Sequence, residues 1–469
     1  MYILNRLMGL LHYKNFNLHL QEVVRGALSS LSIRVSGTIL GFAISVMVAR
    51  ILGAQGAGVY YLSLSALTIA SALGRLGFDN TMVRFIASHA SVGEWHTVRR
   101  VYRKIIRVTT LGSVAISACL IIGAHWLAYD LFDKPYMEVP LVLASLAVVP
   151  FSIGSIQADA LRGLKQIGAS QLIRTFLIPL GLVVLIVPFM HWWQANGAVA
   201  AYAVATAVTA VVAWFLWRRS LQGLITTPSG DLPDQHLNRR LFQSSWPLFG
   251  VVITGLVMQQ AATVVLGITD SAANVGVFNV ASRITSLLVF PLLGMISILT
   301  PKFAALHRQG MRAELAQLAR HSSLLLTAFS LPVTVGMYLG AGWVLQLFGP
   351  GFEGGIWVLR ILLIGVFVDV ATGAVAELLM MTGHEKECRA AHVFGAVITL
   401  GICAILIPFT GSIGAAAGMA SGIVGKNILL VIMVKKRLGF WPISIDLKKS
   451  PDVPSATDKS ETSSRPARG

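Results

Sequence analysis

Twelve apolar runs, each near the roughly 20 residues that cross a bilayer as a helix, leave this chain few folds to choose from. They fall at about 27–53, 59–84, 106–127, 139–161, 171–190, 197–217, 247–269, 275–300, 323–345, 356–381, 391–407 and 414–434. Only 12% of the residues are charged, against about 25% in soluble domains. With 55% hydrophobic residues and a mean hydropathy of +0.73, a water-soluble globule is excluded. The expected fold is an all-α polytopic membrane protein.

The charge pattern sets the expected topology. The net charge is +17, which on a soluble domain would suggest nucleic acid. Here 30 of the 37 Lys and Arg lie before the first run, after the even-numbered runs, or beyond the last. The opposite connections hold only Lys134, and Arg34, Arg50, Arg75, Arg283, Arg360 and Lys426 lie within or beside the runs. The positive-inside rule accounts for this asymmetry and places both termini in the cytoplasm of a multi-pass inner-membrane protein. No nucleic-acid partner is expected.

The two halves repeat. Gly58-Val59-Tyr60 returns as Gly276-Val277-Phe278, Arg84-Phe85 as Lys302-Phe303, and Asp159 as Glu377, all 218 positions on. Gly197-Ala198 returns as Gly414-Ala415 at an offset of 217. Each half has six runs, an even number, so both enter the membrane in the same direction. The expectation is two parallel six-helix repeats forming two lobes around a central cleft. The corresponding parts are an N-terminal segment (1–26), an N-lobe (27–217), a linker (218–243), a C-lobe (244–437) and a basic, disordered tail (438–469).

Several chemistries find no support. Cys119, Cys388 and Cys403 are too scattered for a disulfide framework or a zinc site. Met1–Leu20 does not read as a signal peptide. No phosphate-binding Gly-rich loop, His-Glu-x-x-His or nucleophile elbow occurs. No long external loop is present to carry catalysis. The chain is expected not to be an enzyme, and no cofactor or metal is expected.

Three segments resemble a known family: Arg50-Ile51-Leu52-Gly53-Ala54-Gln55-Gly56-Ala57-Gly58-Val59-Tyr60, Gly74-Arg75-Leu76-Gly77-Phe78-Asp79-Asn80-Thr81-Met82-Val83-Arg84-Phe85-Ile86-Ala87, and Ala160-Leu161-Arg162-Gly163-Leu164-Lys165-Gln166. They are similar to the polysaccharide (O-antigen, capsule, exopolysaccharide) flippases of the multidrug/oligosaccharidyl-lipid/polysaccharide exporter superfamily, over about residues 25–437. The resemblance implies a flippase that moves undecaprenyl-diphosphate-linked oligosaccharide repeat units across the cytoplasmic membrane by alternating access. It implies a lipid-linked substrate, polymerase machinery as a partner, and coupling to proton or sodium entry. The competing readings are a cation-coupled multidrug exporter of the same superfamily and a membrane-embedded polysaccharide enzyme.

Charges within the runs are the site candidates, because each costs about 2.5–3.5 kcal/mol at a helix centre. The repeat puts Arg75 nine residues, or about 13 Å, inside the end of its helix. Four residues on, Asp79 would pair with it on one face. Arg75 leads the substrate-binding candidates, since guanidinium suits phosphate, and Arg283, Arg360, Arg34 and Arg174 join it. Snorkelling is the rival reading for Arg34 and Arg174. Asp369, near the middle of the tenth run, leads the coupling or gating candidates, with Asp79, Asp159 and Glu377; the rival readings are a buried pair for Asp369, a structural pair for Arg75 and Asp79, and an interfacial position for Asp159 and Glu377. Gln259 and Gln260 read as interhelical hydrogen-bonding groups. The seventh run holds no acid before Asp270, which argues against a sodium site there.

Overall fold

The computed structural model describes residues 18–222 and 234–443, with side chains for 32–222 and 239–443. Most of the expected N-terminal segment, the middle of the linker and nearly all of the tail lie outside the described residues. Everything regular in the described residues is helical, with no strand. Ten stretches are long and apolar enough to cross a membrane. Two of them are double length: Ser32–Arg75 with 44 residues and Ile167–Ser220 with 54. Unbroken, they would measure about 66 and 81 Å against a hydrocarbon core of about 30 Å. Each contains a one-residue break, at Gly53 (φ 66°, ψ −175°) and at Gln194 (φ 49°, ψ −126°). Each is therefore two spans, which brings the total to the expected twelve.

The chain divides into two compact units, Met1–Ile253 and Thr254–Gly469. The first holds α1 (Leu18–Arg75, broken at Gly53), α2 (Phe78–Ser91), α3 (Trp95–Trp126), α4 (Glu138–Gly163), α5 (Ile167–Gln171), α6 (Leu177–Ser220, broken at Gln194) and the start of α7 (Asp234–Thr269). α7 begins within the stretch read as linker, and its first turns belong to the first unit. There the Phe242 ring meets Phe78 edge-on at 5.5 Å. Gly77, at φ +75°, lies so close that a Cβ would stand 2.7 Å from the Phe249 nitrogen and the Ser245 carbonyl oxygen.

The second unit holds the rest of α7, α8 (Ala272–Ser286), α9 (Phe290–Arg308), α10 (Arg312–Leu339), α11 (Ala341–Gln346), α12 (Ile356–Thr372), α13 (Val375–Met381), α14 (Glu385–Thr410) and α15 (Ser412–Leu438). The repeat is visible in how helices turn back. Gly197, just past the break in α6, packs against the carbonyl of Phe189, eight residues earlier. Its counterpart Gly414 packs against the carbonyl carbon of Leu406, also eight residues earlier. A side chain at either glycine would push the two arms of that hairpin apart.

The fourth span of each half is its hub. α4 packs on α1, α2, α3 and α6, while α12 packs on α8, α10 and α15. The most apolar windows of these two spans are 50% and 56% buried, against 17–33% for the other eight stretches. The outer faces of the others carry exposed apolar side chains such as Ile122 and Val184, which suits contact with lipid tails. A charge on a hub helix is shielded from lipid and must find polar partners.

Two expected helices are interrupted. The second run does not continue to 84: it ends at Arg75, where Leu76 and Gly77 both adopt positive φ (51° and 75°), and α2 starts afresh. The tenth run breaks at Gly373 (φ 74°, ψ −155°), separating α12 from α13. The broken helix frees carbonyl groups. The Ser323 hydroxyl of α10 answers one of them, donating to the Ala371 oxygen at 2.6 Å.

Candidate functional site

In the first unit, candidates from four elements form one charged group. Arg75 closes α1 and Asp79 lies in the first turn of α2. Their ion pair, Nε to Oδ1 at 2.7 Å, therefore spans the break rather than one continuous helix face. That corrects the expected geometry while keeping the pair. Arg75 Nη1 also donates to Ser71 Oγ at 3.1 Å. Beside them Asp159, near the end of the hub helix α4, is buried. It forms ion pairs with Arg174 (Nη2 to Oδ2, 2.5 Å) and Arg162 (Nε to Oδ1, 3.8 Å). Arg162 reaches back to α2 by donating to Asn80 Oδ1 at 3.2 Å.

Arg174 is placed by a local irregularity. Leu172–Phe176 forms a π-turn between α5 and α6, a feature often found at functional sites. Arg174 also lines a pocket of about 100 Å³ together with Phe151, Ser155, Ile178, Thr206 and Thr209. Three arginines face two aspartates, so the group carries one net positive charge. Asp79 Oδ2 is buried without a hydrogen-bond partner among the described residues. A surplus of guanidinium is the arrangement that holds an anion.

The second unit carries a group of opposite sign. Asp369 lies in the last turn of α12, three residues before the helix ends at Thr372, and not in mid-helix as expected. Its Oδ1 receives Lys426 Nζ at 2.9 Å and Asn427 Nδ2 at 2.6 Å, both from α15. The Thr372 hydroxyl caps the turn by donating to the Asp369 carbonyl at 2.9 Å. Glu377, in the first turn of α13, is within electrostatic reach of Lys426 and Asp369, and so is His392 of α14. With His392 neutral, two carboxylates against one ammonium give a net charge of −1. Discontinuous helices whose ends meet charged groups are a recurring way to build ion sites in transporters.

The remaining candidates stand apart from these groups. Arg360 is held by aromatics: its guanidinium lies 4.9 Å from the Tyr338 ring centre and 5.1 Å from that of Trp357, and its Nε donates to the Tyr338 carbonyl at 3.2 Å. Arg283 is exposed on α8, and Arg34 is half-buried on α1. Sequence reasoning missed Arg162, Lys426 and Asn427 as site members. Two signals could have found the charged ones: the three-residue spacing of Asp159 and Arg162, and an ammonium in mid-span with no other explanation than an acid partner. Among the described residues no three His, Cys, Asp or Glu converge as a metal site would require.

Comparison with known proteins puts a family to this architecture. The family model described as "Polysaccharide biosynthesis protein" matches residues 23–307. No curated protein matches the chain. Among solved structures, an inward-facing multidrug resistance MATE family transporter of the MOP superfamily aligns with 88% of this chain and 98% of its own, at TM-score 0.69 and 18% identity. A MOP superfamily transporter from Pyrococcus furiosus aligns over 91% and 96%, at TM-score 0.62 and 17% identity. The lipid II flippase MurJ, in an inward closed conformation, aligns over 86% and 87%, at TM-score 0.62 and 11% identity. Identities this low speak for the fold, a two-lobe all-helical transporter fold. The family match covers more than half of the sequence, and the chain belongs to the polysaccharide biosynthesis protein family.

Proposed function

We propose that this protein is a flippase for undecaprenyl-diphosphate-linked oligosaccharide repeat units. In this reading it acts in the cytoplasmic membrane with both termini in the cytoplasm and works by alternating access. The observation that carries the reading is the net-positive group of Arg75, Arg162 and Arg174 around Asp79 and Asp159. A diphosphate would exchange with the carboxylates for guanidinium donors, and the bidentate fork of Arg suits it better than the point charge of Lys. Family membership and the structural likeness to a lipid-linked-substrate flippase support the same reading. The net-negative group around Asp369 is assigned to coupling. A cation entering there competes with the Lys426 ammonium for Asp369, which links ion binding to the break at Gly373. Transport rather than catalysis is the proposed role, and polymerase machinery is the proposed downstream partner.

Deletion in the native host tests the reading. Loss of surface polymer with lipid-linked repeat units accumulating supports it. Unchanged polymer and lipid pools with new sensitivity to cationic drugs would replace it with the multidrug exporter.

A further inference from the structure

A second site lies at the basic end of the first unit, just past Arg162 at the end of α4. It begins with the length of α3. Its 32 residues measure about 48 Å, while the hydrocarbon core takes about 20 residues. The apolar run begins near Ile106, so the first turns of α3 stand in the headgroup layer. Those turns carry Arg99, Arg100, Arg103, Lys104 and Arg107. Trp95, Arg99, Arg103 and Arg107 follow at intervals of four and so line one face.

At the foot of this ladder is an open pocket of about 300 Å³, walled by Trp95 and bordered by Ser91, Lys165, Gln166 and Ser220. Three features define it. Lys165 is held at φ 61°, a conformation that costs energy for a residue with a side chain. Ser220 Oγ donates to Gln166 Oε1 at 2.7 Å. Arg99 Nη2 donates to the Leu221 carbonyl at 3.1 Å, which fixes the ladder to the end of α6. Arg103, Arg107 and Lys165 are exposed and make no ion pair among the described residues. On the membrane side, Leu111 of α3 and Phe215 of α6 are exposed apolar groups.

A topogenic role calls for basic residues in both halves, and the second half has them at Lys302, Arg308, Arg312 and Arg320, but not in this arrangement. The five basic residues correspond, 218 positions on, to Gln317, Leu318, His321, Ser322 and Leu325. The ladder of basic residues therefore has no counterpart at the equivalent positions of the second unit.

We propose that this pocket and ladder bind the phosphodiester headgroup of an anionic membrane phospholipid. Trp95 sits at the interface, Lys165 and Arg103 contact the phosphate, and the acyl chains lie along Leu111 and Phe215. Basic pockets between spans at the headgroup level are suited to this ligand class. The pocket shares no lining residue with the proposed substrate group, and its test does not involve the oligosaccharide.

The test is thermal unfolding of the purified full-length protein in detergent with added phosphatidylglycerol, phosphatidylcholine or inorganic phosphate. Phosphatidylglycerol is expected to raise Tm by a few degrees over phosphatidylcholine, as a ligand of the folded state does. R103Q/R107Q/K165Q should lose more than half of that shift, while K302Q/R308Q/R312Q, which removes equal charge from the second unit, should keep it. Native mass spectra supply a second reading should the triple variant be unstable. Wild type should retain phosphatidylglycerol adducts, and Lys165→Gln alone should retain fewer. A full shift in the first variant, or an equal loss in the second, would overturn the proposal. Equal stabilisation by inorganic phosphate would assign the pocket to a soluble anion and overturn the lipid.

Discussion

Lys426 Nζ lies 2.9 Å from Asp369 Oδ1, and the helix that carries Asp369 ends three residues later. The side chains are 15% and 25% exposed, so each charge depends on the other for most of its solvation. Breaking such a pair by removing one partner costs about 3–5 kcal/mol, whereas replacing both with neutral groups is often close to neutral.

The first prediction follows from that asymmetry. Lys426→Met and Asp369→Asn should each lower Tm and membrane abundance, and the double variant should recover most of both. If the pair serves coupling, the double variant is stable yet inactive in transport. A stable double variant with full transport would assign the pair to structure alone.

Arg174 gives a second prediction. Arg174→Ala leaves the buried Asp159 with only the more distant Arg162, so it should reduce both abundance and flux. Arg174→Lys keeps the charge and loses the fork. It should preserve abundance while lowering transport by roughly tenfold, equivalent to about 1.4 kcal/mol of lost phosphate contact. Immunoblots of membranes beside a transport assay separate the two effects.

The glycines give a third. Gly77→Ala meets both a positive φ and the backbone of α7, and should destabilise by about 1–3 kcal/mol. Gly93→Ala has a similar φ of +78° but nothing within 4 Å of its new Cβ. It should cost only about 1 kcal/mol, the strain term alone. Equal losses in thermal unfolding would contradict the close packing of Gly77.

Much of this architecture was legible in the residues. Bilayer thickness fixes helix length, so the apolar runs located the spans, and the offset of 218 disclosed the repeat. The turn back from Phe189 to Gly197 and from Leu406 to Gly414 gives that repeat a physical meaning. What hydropathy could not show were breaks that cost no polar residue. Neither break carries a proline, and the apolar run continues past Gly373, so the sequence places Asp369 in mid-helix and gives no signal for the π-turn at Arg174. The site was half legible for a related reason. Cost in the membrane marks Asp159, Arg174 and Asp369, but of their partners Arg162 counts toward the topology and Lys426, although within a run, carries no sign of which acid it meets. Pairing between helices of one unit depends on packing that no local pattern encodes. Arg360 shows the converse: its charge was noticed, and its two aromatic partners explain it.

The central claim is that the net-positive group of the first unit serves a lipid-diphosphate substrate. Its most direct measurement is translocation of a fluorescent undecaprenyl-diphosphate oligosaccharide in proteoliposomes holding the purified full-length protein, read by quenching from outside. The account predicts translocation by wild type and strong loss in R75Q and R174Q variants that unfold at the wild-type Tm. Translocation unchanged in both stable variants, or none by folded wild type under any imposed proton or sodium gradient, would contradict it.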